Sequence, residues 1–237
     1  MERFRSDRRQ RADRILDTAR ELLLSWGYRR VTIDELSRRA GVGKGTIYLH
    51  WRSREEVFHA VSTREAAEMA DSIVQAVRDD PAEVILHRHL RLLFVEAMKR
   101  PVLRALYTRD TDTLDTFLAS ADHQHLEESK LGVNREYLGV LADEAMLRSD
   151  LDLNDLDYTL PTIVFGFFAA EPFLPPSLGL SLEQKADQLA DTVRRAFEPT
   201  AAPGRAAVKR AAARAIPILD RIARDHRTAT YGGDHND

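Results

Sequence analysis

The sequence has no cysteine among its 237 residues, which excludes disulfides, thiolate zinc sites and thiol redox sensing. It lacks any apolar run long enough to cross a bilayer: the longest, residues 163–170, is interrupted by Gly166 and far too short. The opening residues, MERFRSDRRQ, are charged with no apolar stretch behind them, so neither a secretion signal nor a membrane partner is expected. Sustained period-two alternation is missing too, which predicts no sheet. No P-loop, dinucleotide fingerprint, zinc motif or Ser-His-Asp order stands out, so no enzyme and no cofactor are expected. His87/His89 and His123/His125 are spaced i,i+2, which on a helix points the rings to different sides and argues against a metal.

What is present is charge, unevenly placed. Residues 1–60 carry 14 Lys/Arg against 9 Asp/Glu, and residues 61–199 carry 14 against 25. From residue 200 onward there are 7 against 4, which completes the net charge of -3. A basic head on an acidic body suits a protein that must orient itself in the field of a nucleic acid.

Residues 32–54, TIDELSRRAGVGKGTIYLHWRSR, read as two short helices joined by a tight turn. Thr32 caps the first and Glu35 completes an S/T-x-x-E box. Ile33, Leu36 and Ala40 form its apolar stripe, and Gly41 ends it in the left-handed conformation. Val42 plugs the gap between the helices. On the second helix, Ile47 and Trp51 share an inner face at 100° per residue. The outer face presents Gly45, Thr46 and Leu49, edged by Lys44, Tyr48 and His50, and holds no carboxylate. Such a face suits a major groove: Lys44 reaches a guanine edge or a phosphate, Leu49 a thymine methyl, and Thr46, Tyr48 and His50 the phosphates. The glycine-rich turn alone is equally a helical hairpin of a larger bundle; the acid-free outer face is what favours a helix-turn-helix.

The run V-T-I-D-E-L-S-R-R-A-G-V-G-K-G-T-I-Y-L-H-W-R-S-R-E-E-V-F, with the helix before it, resembles the DNA-binding domain of the tetracycline-repressor (TetR) family of bacterial regulators. Tyr48-Leu49-His50-Trp51 stands at the family's aromatic–x–His position, with Trp51 where phenylalanine is more usual. The resemblance covers roughly the first quarter of the chain. It implies an all-α fold: an N-terminal three-helix DNA-binding domain and a C-terminal helical domain for ligand binding and dimerisation. It also implies a double-stranded DNA operator, a small-molecule effector and a homodimer, hence a cytoplasmic protein that is nucleoid-associated when bound. A ligand-independent DNA-organising or division-linked protein of the same fold is the alternative.

Taken in order, residues 1–10 are an arginine-rich arm that either enters a minor groove or is a solvated terminus. Residues 11–60 form the head, residues 61–198 the body, and residues 199–237 an appended basic tail, partly helical or disordered. A first helix at about residues 11–26 has an apolar stripe ending in Trp26. Ser53 and Glu56 cap a long helix to about Val77, shared by head and body, so a shift at its far end moves the recognition helix. Pro81 opens a helix to Lys99, Gly132 marks a turn, and a helix over residues 134–148 follows. Asp112 or Thr113 starts another helix between them. Residues 154–170 are apolar almost all round, which implies either a dimer face or a fully buried helix. Ser181 and Gln184 cap the final body helix, and the tail helix breaks near Pro217.

The expected DNA contacts are Thr32, Lys44, Gly45, Thr46, Tyr48, Leu49, His50, Arg8, Arg9 and Arg11. Arg54 joins them by resemblance as a phosphate contact, an exposed i,i+4 partner being the other reading. The implied ligand pocket has Phe94, Met98, Tyr107, Phe117, Tyr137, Met146 and Phe165 as lining, with His87, His89 and His125 as polar anchors. The expected dimer residues are Leu160, Val164, Phe168, Leu189 and Val193.

Overall fold

The structure, a computed structural model, describes residues 2–108 and 121–231. Among the described residues there are α-helices and short 3₁₀ turns and no strand. The helices are α1 (Glu2–Trp26), α2 (Ile33–Ala40), α3 (Lys44–Tyr48), α4 (Arg54–Asp79), α5 (Leu86–Lys99), α6 (Pro101–Thr108), α7 (Ala121–Asp143), α8 (Leu153–Ala169), α9 (Leu182–Phe197) and α10 (Arg205–Tyr231). The helix start expected at Asp112 or Thr113 lies outside the described residues.

Two apolar cores organise the chain. The head core joins Ile15, Leu16, Leu36, Ile47, Trp51 and Val57, and the body core runs from Val74 through Leu141 and Leu189 to Leu219. The head follows from local rules. Ala12, Ile15, Leu16, Ala19 and Leu22 recur at spacings of three and four and are buried on α1. Gly41 has φ 65, and Val42 N–H donates 3.1 Å to the Ser37 carbonyl, the six-to-one bond of a Schellman end. Thr32 and Ser53 both cap, accepting from Glu35 N–H at 3.3 Å and Glu56 N–H at 3.1 Å. Their capping boxes stay half-formed, because Glu35 turns to Arg38 and Arg39 and Glu56 accepts from Arg52 N–H instead. A complete box is present only at Ser181 and Gln184 among these caps.

Several expectations change. The arm is the first part of α1, not a separate segment. Trp26 closes no stripe: it is 36% exposed, under the Arg39 guanidinium at 4.5 Å. Pro81 opens a 3₁₀ turn capped by Asp80, and α5 begins only at Leu86. No turn forms at Gly132, because α7 runs through it on an exposed side. That helix stops at Asp143 rather than residue 148: Ala145 takes φ 54, and Met146 N–H donates 2.8 Å to the Leu141 carbonyl, closing the same Schellman end without glycine.

The largest correction concerns the tail. Residues 205–231 form one unbroken helix, α10, that lies along α4 and α7. Val208, Ala211, Ala212, Ala215, Leu219 and Ala223 are its buried stripe, small enough for close helix approach. Pro217 does not break it, since Pro217 and Ala213, whose carbonyl loses its partner, both face solvent. Its arginines meet acids of the body: Arg210–Glu144 at 2.7 Å, Arg214–Asp143 at 2.6 Å, Arg221–Glu136 at 2.7 Å and Arg227–Asp71 at 2.9 Å. Each exposed pair contributes little alone, but together they explain why a basic segment docks on an acidic body. The helix ends on the head, where Thr230 carbonyl accepts from Trp51 Nε1 at 3.3 Å and Tyr231 OH donates to Asp13 at 2.6 Å.

A second junction fixes head to body. Glu65 on α4 is buried, and its carboxylate accepts from Arg20 of α1 at 2.7 Å and from Val102 and Leu103 N–H of α6 at 3.1 and 3.2 Å. A buried carboxylate is tolerable only when satisfied in this way.

Candidate nucleic-acid interface and body cavity

Helix α3 is held by Ile47 and Trp51, 0% and 3% exposed, on the side facing the head core. Its opposite side is open: Lys44 and Gly45 are exposed, Tyr48 is 51% exposed and Leu49 75%. Thr46 and His50 are half-buried at its edge. The helix is a single turn ending at Tyr48, with Leu49 as its cap, so the aromatic Tyr48 and apolar Leu49 sit at its outer tip. Lys44 Nζ rests 2.6 Å from Asp34, both side chains more than half exposed, a screened surface pair that a phosphate can replace. Burial pushes the His50 imidazole pKa down, and the nearby Arg8 and Arg11 guanidinium groups add to the effect. The start of α1 therefore supplies two exposed arginines beside the tip of α3.

Other expected contacts have internal employment. Thr32 is exposed, but its hydroxyl caps α2. The Arg54 guanidinium lies 4.6 Å over the Tyr28 ring and donates to the Val31 carbonyl at 3.3 Å and to Glu55 at 3.1 Å. Arg9 lies 4.5 Å over the Tyr231 ring. The last of these could not be read from sequence, because its partner is more than two hundred residues away.

The body holds a cavity of about 280 Å³ among α5, α6, α7 and α8. Of the residues proposed for a ligand pocket, His89, Tyr107, Tyr137 and Phe165 line this cavity. Phe94, Met98 and His87 do not. On α5 the cavity side is Leu86, His89, Leu90 and Leu93, and those three residues lie roughly 100° further round. Phe94 is core and stacks on Phe168 at 4.8 Å. Met98 packs on the body core. His87 Nδ1 is 2.8 Å from Glu198, tying α5 to the end of α9. Met146 is likewise buried in the core, 1% exposed. Phe117 lies outside the described residues, and of His125 only its place in α7 is described.

Sequence reasoning missed Asn134 and Asp157 in the wall. A signal for Asp157 existed: it interrupts the stripe Leu156, Leu160, Val164, Phe168 on α8. Two polar atoms of the wall, His89 Nδ1 and Asp157 Oδ1, are buried with no hydrogen-bond partner. Tyr137 OH is satisfied by the Val84 carbonyl at 2.7 Å, and burial raises its pKa well above the usual phenol range. No group that could hold a metal ion occurs among the described residues, and none of the described helices is long and apolar enough to cross a membrane.

Burial alone lowers the His89 pKa from 6.5 to about 4. The unfolded chain therefore binds a proton between those values that native His89 refuses. Stability from this residue is complete above pH 6.5 and is lost as the pH falls toward 4, by on the order of 3 kcal/mol. Urea unfolding of His89→Phe beside the unsubstituted chain should show a flatter loss of stability over that window. Equal slopes would remove the buried neutral imidazole from the account.

The expected dimer residues are not exposed in this chain. Leu160, Phe168, Leu189 and Val193 are buried in this chain's own core and Val164 is half-buried, so they are no open face. The open apolar face of α8 is one step round the helix, at Tyr158, 77% exposed, and Phe165, 50% exposed. It continues into Phe173, Leu174, Leu178 and Leu180 of the following loop. The hydrophobic period alone could not tell a core-facing side from an open one on a helix that is apolar almost all round.

Known proteins agree with this architecture. The family pattern described as bacterial regulatory proteins, tetR family, matches residues 15–61. The HTH-type transcriptional repressor AcnR of Corynebacterium efficiens is 27% identical over 190 residues, covering 76% of this chain and 91% of AcnR. Among solved structures, SmeT, the repressor of the Stenotrophomonas maltophilia multidrug efflux pump SmeDEF, superposes in its triclosan complex with a TM-score of 0.58. It has 20% identity and covers 82% of this chain and 96% of SmeT. The fatty acid degradation regulator FadR of Bacillus halodurans gives 0.59 at 16% identity, covering 77% and 93%. Those two likenesses are likenesses of fold.

Proposed function

The chain belongs to the tetR family of bacterial regulatory proteins, and from that premise we propose that it is a homodimeric repressor released from its operator by a small molecule bound in the body cavity. That it is a transcriptional regulator and not an enzyme follows from its relatives. The observation that carries the finer reading is the outer face of α3: Lys44, Gly45, Tyr48 and Leu49 are exposed, while Ile47 and Trp51 anchor the helix from behind. Helix α3 itself carries no carboxylate, the Asp34 carboxylate of α2 meeting Lys44 only as an exposed pair. Two such helices in a symmetric pair occupy successive major grooves of a pseudo-palindromic site.

The second copy docks on the face of Tyr158, Phe165 and Phe173, an apolar patch left exposed among the described residues. Release requires that the effector bind one arrangement of head and body better than the other. Three connections favour such coupling: α4 is shared by both cores, Glu65 joins α1, α4 and α6, and α10 carries a change at α7 to Trp51. The buried unpaired atoms of the cavity wall favour an effector over the ligand-independent alternative.

Fluorescence anisotropy with a duplex from the region upstream of its own gene tests this reading. Affinity should fall steeply with salt, log K dropping about 0.9 per phosphate neutralised for each tenfold rise in salt. Tyr158→Glu should sediment as a monomer and bind that duplex on the order of a hundredfold more weakly, because the two heads no longer act together. A Tyr158→Glu protein that remains dimeric would remove α8 from the interface.

A further inference from the structure

The wall of the body cavity is mostly apolar and aromatic, with Tyr107, Tyr137 and Phe168 among its rings. Among the described residues it contains one carboxylate, Asp157, and no lysine or arginine. Arg135 approaches that carboxylate at Oδ2, 3.6 Å away, from a more exposed position on α7. Oδ1 is buried and accepts from nothing. His89, 6% exposed, lines the same cavity with Nδ1 also unpartnered. Buried acceptors are left unpaired in few places, and a cavity wall is where an incoming group can complete them.

We propose that the effector is a compact aromatic amine in its ammonium form. Its N–H donates to Asp157 Oδ1, and its apolar body lies among Tyr107, Tyr137, Phe165 and Phe168. The choice follows from charge and donor inventory. A carboxylate accepts only, so the occupant must bring a donor there, and a charged donor makes the stronger bond. The tyrosine and phenylalanine faces favour a cation over a neutral group of equal size. An anionic ligand would place its charge against Asp157, and the described part of the wall offers it no lysine or arginine, only His89, whose burial favours the neutral ring. The volume of about 280 Å³ admits a single ring with a short chain. This inference rests on the reading of the cavity as the effector site.

Calorimetry on the full chain with phenylbutylamine, phenylbutanol and phenylbutyrate tests it, since the three share one shape and differ in the head group. Phenylbutylamine should bind about tenfold or more tightly than phenylbutanol, and phenylbutyrate should bind weakest. In Asp157→Asn the amine should lose that advantage while the alcohol binds as before. Equal affinities, tighter binding of the acid, or no binding by any of the three in the unsubstituted chain would overturn the assignment. So would an amine preference that survives Asp157→Asn with the alcohol still bound. Where the variant fails to fold, the order of the three probes on the unsubstituted chain decides alone. Anisotropy with the operator duplex separates this inference from the regulator reading. An amine that binds through Asp157 without changing DNA affinity leaves the ligand class standing and removes induction. Operator binding without amine binding does the reverse.

Discussion

Gly45→Asp should leave the protein folded and weaken operator binding by more than about a hundredfold. A Cβ at Gly45 would meet nothing within 4 Å, and the glycine has ordinary helical backbone, so no clash or strain opposes the change. Aspartate one residue into a helix is also favourable to the helix dipole. The same carboxylate would stand in the middle of the exposed face between Lys44 and Leu49, against DNA phosphates. At an effective dielectric near 20, one like-charge contact at about 5 Å costs roughly 3 kcal/mol, which is the hundredfold. Anisotropy with the operator duplex measures the loss, and a melting curve measures the fold. Unchanged affinity in a folded variant would mean that this side of α3 does not meet DNA.

Truncation after Gly204 should have the largest effect on stability. Removing α10 takes away Val208 and Leu219, worth about 1.5–3 kcal/mol each, and four buried alanines at about 0.8 kcal/mol each. The sum is roughly 7 kcal/mol, within the range of a whole domain's stability. The cut also uncovers α4 and α7 and removes the Thr230 carbonyl from Trp51 and the Tyr231 hydroxyl from Asp13. The truncated chain should be insoluble or should unfold tens of degrees earlier in a thermal scan. A melting temperature within a few degrees of the full chain would return residues 205–231 to the status of an appendage.

These two sites differ in how far the sequence alone could reach. The turn at Gly41, the caps at Thr32 and Ser53, and the split of α3 into a buried Ile47–Trp51 side and an open Lys44–Leu49 side are local. They depend on side chains within a turn or two, so periodicity and capping reveal them. The docking of α10 is long-range. Its arginines read as an appended basic tail until Glu144, Asp143, Glu136 and Asp71 are placed opposite them. Pro217 looks like a break until its side is known to face solvent. The cavity was legible only in part, for a third reason. His89 and Phe94 both lie on an inward side of α5, and only tertiary packing decides which side meets space and which meets protein. The same ambiguity on α8 hides that Leu160 and Phe168 are buried while Tyr158 and Phe165 are exposed.

Hydroxyl-radical footprinting of the full chain on the DNA upstream of its own gene tests the central claim most directly. Two protected patches should appear on one face of the duplex, related by an approximate two-fold axis and separated by about 34–36 Å or a wider whole number of helical turns. Protection scattered over many unrelated sites, or none at all, would contradict a paired α3 reading successive major grooves.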